Sequence, residues 1–352
     1  MKTVKSRIRL LLYVSCLAGT LYNCGTKDVE PVTPFTYTFK GFDNVKLPEV
    51  TPTAPAAVSV TAASVTSSTA AAAVSSGLSN LTATGQVPAA VQEAAANVSK
   101  AIPAEKAAQL VASFTPDVLN TVSTGGKLPA NLETEVKAMA ANPATKGYWP
   151  TYTLPTVNGK PVGGRASAPS GASVVPATPV AYATTDDDAC KAAANAAYNS
   201  AVQNLDAAKA SQTAAINSNY TQLETAIKAE AAPCKAGLPA KYDPMRALAK
   251  QTLDASLANL DAGKAVLGET TYNLLKVLLL ASYADGLNLF TTLQNAEAAA
   301  CDATGTAKLA AAQAARDADL SKINSNYNNA LSPLTRARDQ AVASCHNQGN
   351  GG

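Results

Sequence analysis

The chain has 352 residues, enough for one or two domains with a core; 47% are apolar, but aromatics make up only 5%. So much alanine and so few rings favour slender helices over a bulky α/β core. The formal charge of +3 rests on Lys2, Lys5, Arg7 and Arg9; beyond residue 23 the balance is 24 Lys and Arg against 25 Asp and Glu, which excludes a basic field for nucleic acid.

The first element is "MKTVKSRIRLLLYVSCLAGTLYNCGTKD", a basic start followed by an apolar run from Leu10 to about Tyr22. The run is too short to span a membrane and suits an export signal over residues 1–23. It ends at Leu21-Tyr22-Asn23-Cys24. This stretch resembles a bacterial lipoprotein signal, in which the cysteine after a short lipobox is acylated and becomes the new N-terminus. The polar, acidic "GTKDVE" that follows resembles the surface-export start of lipoproteins of the Bacteroidota type. The resemblance covers roughly the first 30 residues. It implies lipidation (palmitate) at Cys24 and anchoring in the outer membrane, facing the periplasm or the surface. Ordinary secretion, an uncleaved anchor, and lipidation at Cys16 are the competing readings.

Residues 24–87 are rich in Pro, Thr and Ala and read as a tether; over 57–85 neither helix nor strand stands out. From 88 to 162 a small helical domain is predicted. Pro88, Pro103, Pro116 and Pro129 each precede a short amphipathic run, and proline suits the first position of a helix. Thr115 is the predicted N-cap before Pro116. An aromatic, Pro-rich tail follows, with Tyr148, Trp149 and Tyr152 as candidate binding aromatics and Asn158-Gly159 as a turn. Rings in such a tail also serve simply to cover a helical core. Residues 163–184 read as a second linker.

Residues 185–346 are predicted to form a long antiparallel helical bundle, coiled-coil-like and disulfide-clamped, so the fold class is all-α. Thr185 and Asp186–Asp188 suit a helix N-terminus better than a Ca²⁺ site. Four cysteines remain after the signal, an even number that suits disulfides in an exported protein. Cys190 and Cys234 are 44 residues apart, and so are Cys301 and Cys345. The first interval, 191–232, has neither Gly nor Pro, so one helix of about 66 Å would hold its two cysteines far beyond disulfide reach. Two such helices laid antiparallel bring both cross pairs level in a single register, predicting Cys190–Cys345 and Cys234–Cys301.

The same register explains a repeated pentapeptide, Ile216-Asn-Ser-Asn-Tyr220 and Ile323-Asn-Ser-Asn-Tyr327. Ile and Tyr at i, i+4 share a helix face, so each copy is a piece of the packing seam. Tyr327 then lies level with Ala208, and Ile323 with Gln212. Two readings compete: a tandem duplication, and tight turns at Asn-Ser-Asn that would pair Cys190 with Cys234 and Cys301 with Cys345. Gly305 and Pro333 weaken the second helix, and proline should kink or break it. Between the long helices, Asp243 and Pro244 read as N-cap and N1 of another helix. The stretch 265–293 is the most apolar of the body and reads as a core helix. The sharper alternative is an apolar head that inserts into a bilayer, with leakage depending on Leu278–Leu280.

The chemistry of a catalyst is thin. His346, the one histidine, lies just before the Gly-rich tail 347–352. One histidine builds no His-based metal site, and cysteines in disulfides do not ligate zinc. No phosphate loop, dinucleotide fingerprint or cofactor motif occurs. The sequence therefore points to a non-enzymatic envelope lipoprotein with no cofactor or metal. It would act as an elongated helical spacer or as a binding and adhesion module for another envelope protein or surface polymer. The alternative is an α-helical, pore-forming-like protein.

Overall fold

The computed structural model describes residues 37–43, 45–163 and 189–345. The signal, Cys24, most of the 163–184 linker, the Thr185–Asp188 cap, His346 and the tail lie outside them. The fold is all-α, as expected, and its residues divide into two compact units.

One unit takes residues from Met1–Lys46, Tyr182–Leu205 and Ala330–Gly352. Its described part is the start of a helix, α6 (Ala189–Ala236), against the end of another, α9 (Glu269–Cys345). Cys190 and Cys345 are disulfide-bonded, with Cα atoms 5.8 Å apart. Small and medium side chains fill the seam: Ala194, Ala201 and Leu205 from α6, Leu334 and Ala341 from α9. The Arg338 guanidinium lies 5.0 Å from the Tyr198 ring centre. Pro333 sits inside α9 and does not end it.

The second unit takes Leu47–Ala181 and Asp206–Asn329. Here α6 and α9 are again antiparallel, and Cys234–Cys301 closes this pair with Cα atoms 6.0 Å apart. Both cross pairs stand where the 44-residue spacing puts them. The pentapeptide copies do lie on the seam. Ile216 and Ile323 are almost wholly buried. The two tyrosines sit half-buried at its margin, each under a cation from the facing helix. Arg316 lies 4.6 Å from the Tyr220 ring and Lys209 lies 4.5 Å from the Tyr327 ring, while the Tyr327 hydroxyl donates to Asp206 Oδ1 at 2.7 Å.

The rest of the unit is a helical head. Among the described residues five short helices precede the long ones: α1 (Thr69–Thr84), α2 (Ala89–Ala101), α3 (Ala104–Ser113), α4 (Pro116–Ser123) and α5 (Ala130–Ala141). Pro116 occupies the first turn of α4, and Val118 N–H donates to the Thr115 hydroxyl at 3.3 Å. Pro88, Pro103 and Pro129 fall one position earlier, at the N-cap, with extended backbone. After α6 come α7 (Leu238–Ala262) and the single turn α8 (Lys264–Leu267). The predicted helix start at Asp243-Pro244 is corrected: both lie inside α7, which begins at Leu238 with Pro239 in its first turn.

Residues 88–162, expected as a small domain by themselves, share one core with α1, α7 and the apolar part of α9. Val91, Val98, Leu110, Leu132, Val136 and Met139 pack in the same cluster as Leu78, Leu81, Leu260, Leu275, Leu287 and Leu293. The stretch 265–293 is the spine of that core: Leu274, Leu275, Val277, Leu278, Leu280, Ala281, Ala284, Leu287 and Leu293 are all buried. One close approach fixes how α1 meets the α7–α8 corner. A Cβ at Gly263 would lie 2.1 Å from Leu81 Cδ2, and Leu81 is itself fully buried. Gly263→Ala is therefore expected to lower the unfolding free energy by about 1–3 kcal/mol, the usual cost of overpacking, read by urea titration.

Two small sheets border the head. β1 (Val60–Thr61), β4 (Thr156–Val157) and β5 (Lys160–Pro161) form one, in the order β1-β4-β5, all antiparallel. β2 (Ser64–Thr66) and β3 (Thr151–Thr153) form the other, with Val65 opposite Tyr152. Asn158 (φ 50°) and Gly159 (φ 74°) form the two-residue turn between β4 and β5, the type in which both central residues have positive φ. Pro161 lies on β5, an edge strand, where its missing N–H costs no ladder bond.

Candidate functional site

The segment expected as a free tether is held along the helices from residue 48 to residue 63. Gln212 clasps it with both amide atoms: Oε1 accepts from Val50 N–H and Nε2 donates to Pro48 O, each at 3.2 Å. Asp319 is buried and accepts from both Thr53 N–H (2.7 Å) and the Thr53 hydroxyl (2.6 Å). Glu297, also buried, accepts from Ala63 N–H at 2.8 Å and from Lys241 at 2.5 Å, while Lys241 donates to Ala63 O at 3.3 Å. An extended, proline-rich strand cannot satisfy its own backbone, so these side chains do it. Tyr242 lies beside Glu297. Burial first, and then the Glu297 charge, push its phenol far above the usual range.

The three candidate binding aromatics do not form one site. Tyr148 and Trp149 lie at the end of a 3₁₀ turn (Lys146–Tyr148) and are buried in the head core, the Tyr148 hydroxyl accepting from Asn97 Nδ2 at 3.2 Å. Tyr152 falls on β3 and is 53% exposed. The change from helical turn to strand after Trp149 turns the third ring outward.

Tyr148 instead helps line a groove of about 540 Å³ between α1, α7 and α9. Ala71, Ala72 and Ser75 form one wall, Met245, Leu248, Ala249 and Leu253 a second, and Leu279, Tyr283, Gly286 and Phe290 the third. A smaller cavity, about 440 Å³, lies by the Cys234–Cys301 bridge and is lined by Glu297 and Lys241 among others. Among the described residues no group of three or more His, Cys, Asp or Glu side chains could hold a metal ion.

Asp285, one residue from the groove, is the head's strained carboxylate. Burial raises its pKa, against the opposing charge of Lys137. The folded state therefore holds this proton more tightly than the unfolded chain. Asp285 contributes stability below the ordinary carboxylate range, and that contribution is lost as pH rises through the raised value. Asp285→Asn is expected to flatten this limb of the stability–pH profile and to melt higher than wild type at neutral pH, by thermal denaturation.

Of the groove residues the sequence marked Tyr148, as a candidate binding aromatic, and Leu279, within the apolar stretch, but nothing that joined them. Gly286 was the available signal: a glycine in the middle of the most apolar helix, where helix propensity disfavours it. No protein family matches the chain, and comparison with curated proteins and with solved structures finds no similar one.

Proposed function

We propose that the protein is a non-enzymatic lipoprotein of the bacterial cell envelope, acylated at Cys24 and anchored in the outer membrane. Its helical body serves as a spacer and binding module for another envelope protein or a surface polymer. The observation that carries this reading is the pair of disulfides, Cys190–Cys345 and Cys234–Cys301, which close both helix pairs. Such bonds persist in an oxidising compartment and are rare in a reducing cytosol, in keeping with the export signal. The apolar stretch 265–293 forms the core of the head, so inserting it into a bilayer would first require the head to open.

Metabolic labelling with a palmitate analogue tests the reading. Label on the wild-type protein in the outer-membrane fraction, lost in Cys24→Ala, supports it. An unlabelled protein that fractionates with the cytosol refutes it.

A further inference from the structure

We propose that Cys234–Cys301 is a redox-labile bridge, opened by exchange with a dithiol and able to close again, while Cys190–Cys345 is a fixed one. The inference goes beyond the envelope reading. It concerns which bridge reacts, and its failure would leave the export signal and the lipid anchor untouched.

The two bridges differ in what surrounds them. Cys190 and Cys345 are both buried, at 5% and 8% exposure, with the buried Ala194 and Ala341 one turn along their helices. Neither cysteine lines either of the two cavities described above. Cys301 is buried too, at 7%, but its partner Cys234 is exposed. Cys234 and Cys301 both line the cavity of about 440 Å³. Thiol–disulfide exchange requires a thiolate to reach a sulfur atom, so access decides the rate; exposed bridges are the labile ones and enclosed bridges resist reduction.

The local chain explains the difference. Cys234 lies in the last turn of α6, and residues 232–237 are all exposed. Pro233, in the same turn, has no N–H to donate to the carbonyl one turn back, so this turn is the less firmly held part of α6. Cys301 lies well inside α9, among residues that continue the helix in both directions.

Exposure and burial set the direction of the exchange. The thiolate of the dithiol attacks Cys234 Sγ. The new S–S bond forms as the Sγ–Sγ bond breaks, and the electron pair leaves on Cys301 Sγ, which takes a proton from water. The second thiol of the reductant gives its proton to water, attacks the reductant's own sulfur in the mixed disulfide, and releases Cys234 as a thiolate that is then protonated. Two electrons pass to the bridge, and the reductant leaves as its own disulfide.

Ion pairs beside the bridge make the opening reversible. Lys235 and Asp302, the residues that follow the two cysteines, pair at 2.6 Å, and Lys308 pairs with Glu230, one turn before Cys234. Each pair is exposed and weak by itself, but both tie α6 to α9 without the disulfide. The two thiols therefore stay level, at a high effective concentration for reoxidation. The strap residues Val60, Thr61 and Ala62 line the same cavity, so opening the bridge loosens the wall that faces the strap.

The test uses the full, oxidised chain under native conditions, with dithiothreitol as the dithiol and glutathione as a monothiol. Samples are quenched with iodoacetamide over time and mapped by peptide mass spectrometry. With dithiothreitol, Cys234 and Cys301 should be alkylated together, about tenfold or more ahead of Cys190 and Cys345, as their access dictates. Low concentrations of urea should leave that rate unchanged, because the opening needs no global unfolding. Glutathione lacks a second thiol to resolve the mixed disulfide and should be found on Cys234, not on Cys301. Removing the reductant should restore Cys234–Cys301. Equal rates for the two bridges, or earlier opening of Cys190–Cys345, would overturn the proposal. So would opening that accelerates with urea in step with global unfolding, glutathione carried on Cys301, or reoxidation to other pairs.

Discussion

Replacing Cys234 and Cys301 together with serine is expected to lower the unfolding free energy by about 4 kcal/mol, and replacing Cys190 with Cys345 by about 5 kcal/mol. The two bridges span 67 and 155 residues, and closing longer loops removes more entropy from the unfolded chain. The seam they close explains why such losses would be felt. Outside the head its buried apolar side chains are about half alanines, with Leu205, Ile216, Ile227, Ile323 and Leu334 as the larger ones. Alanine forms helix readily but buries little apolar area, so the seam by itself is weakly held. Guanidinium titration with and without reductant checks this. Reduced wild type should unfold at the midpoint of the quadruple serine variant. A reductant-insensitive midpoint would mean that the bridges add nothing to the seam.

Leu275→Asp is expected to unfold the head, at a cost of about 4 kcal/mol or more. Leu275 is wholly buried at the centre of the core spine, and an unpaired charge there has neither water nor a counter-ion. Leu248→Asp, at a 63% exposed position, should shift stability by no more than about 0.5 kcal/mol. Far-ultraviolet circular dichroism and limited proteolysis separate the two. This pair also distinguishes a core helix from a membrane-inserting one. An inserting segment held exposed would tolerate Leu275→Asp in solution and lose only its action on liposomes.

The long-range features legible in the sequence were those written as matched spacings. Two 44-residue intervals and two helical stripes define one antiparallel register, and the bridges, Ile216 and Ile323 all conform to it. A glycine- and proline-free interval disfavoured the competing pairing, and the two bridges remove it. Other features depended on partners that no local pattern names. The periodicity of 88–142 shows that each short helix has an apolar face. It does not show that the face is covered by Leu275, Leu287 and Leu293, well over a hundred residues further along. The strap around Pro48–Ala63 looked like a tether because its own backbone offers no regular bonding; its acceptors, Asp319 and Glu297, are distant in sequence. Asp243-Pro244 has the residues of a helix start, yet tertiary packing that buries Tyr242 carries the helix back to Leu238. The groove was invisible for a related reason. It is made by small residues on three helices, and a missing side chain such as that of Gly286 leaves no periodic mark.

Non-reducing peptide mapping of protein taken from its native envelope tests the central claim most directly. The account predicts two linked peptide pairs, Cys190 with Cys345 and Cys234 with Cys301, together with a lipid-modified peptide beginning at Cys24. Linkage of Cys190 to Cys234 would contradict the antiparallel clamp, and free thiols at all four positions would contradict both the clamp and the oxidising compartment.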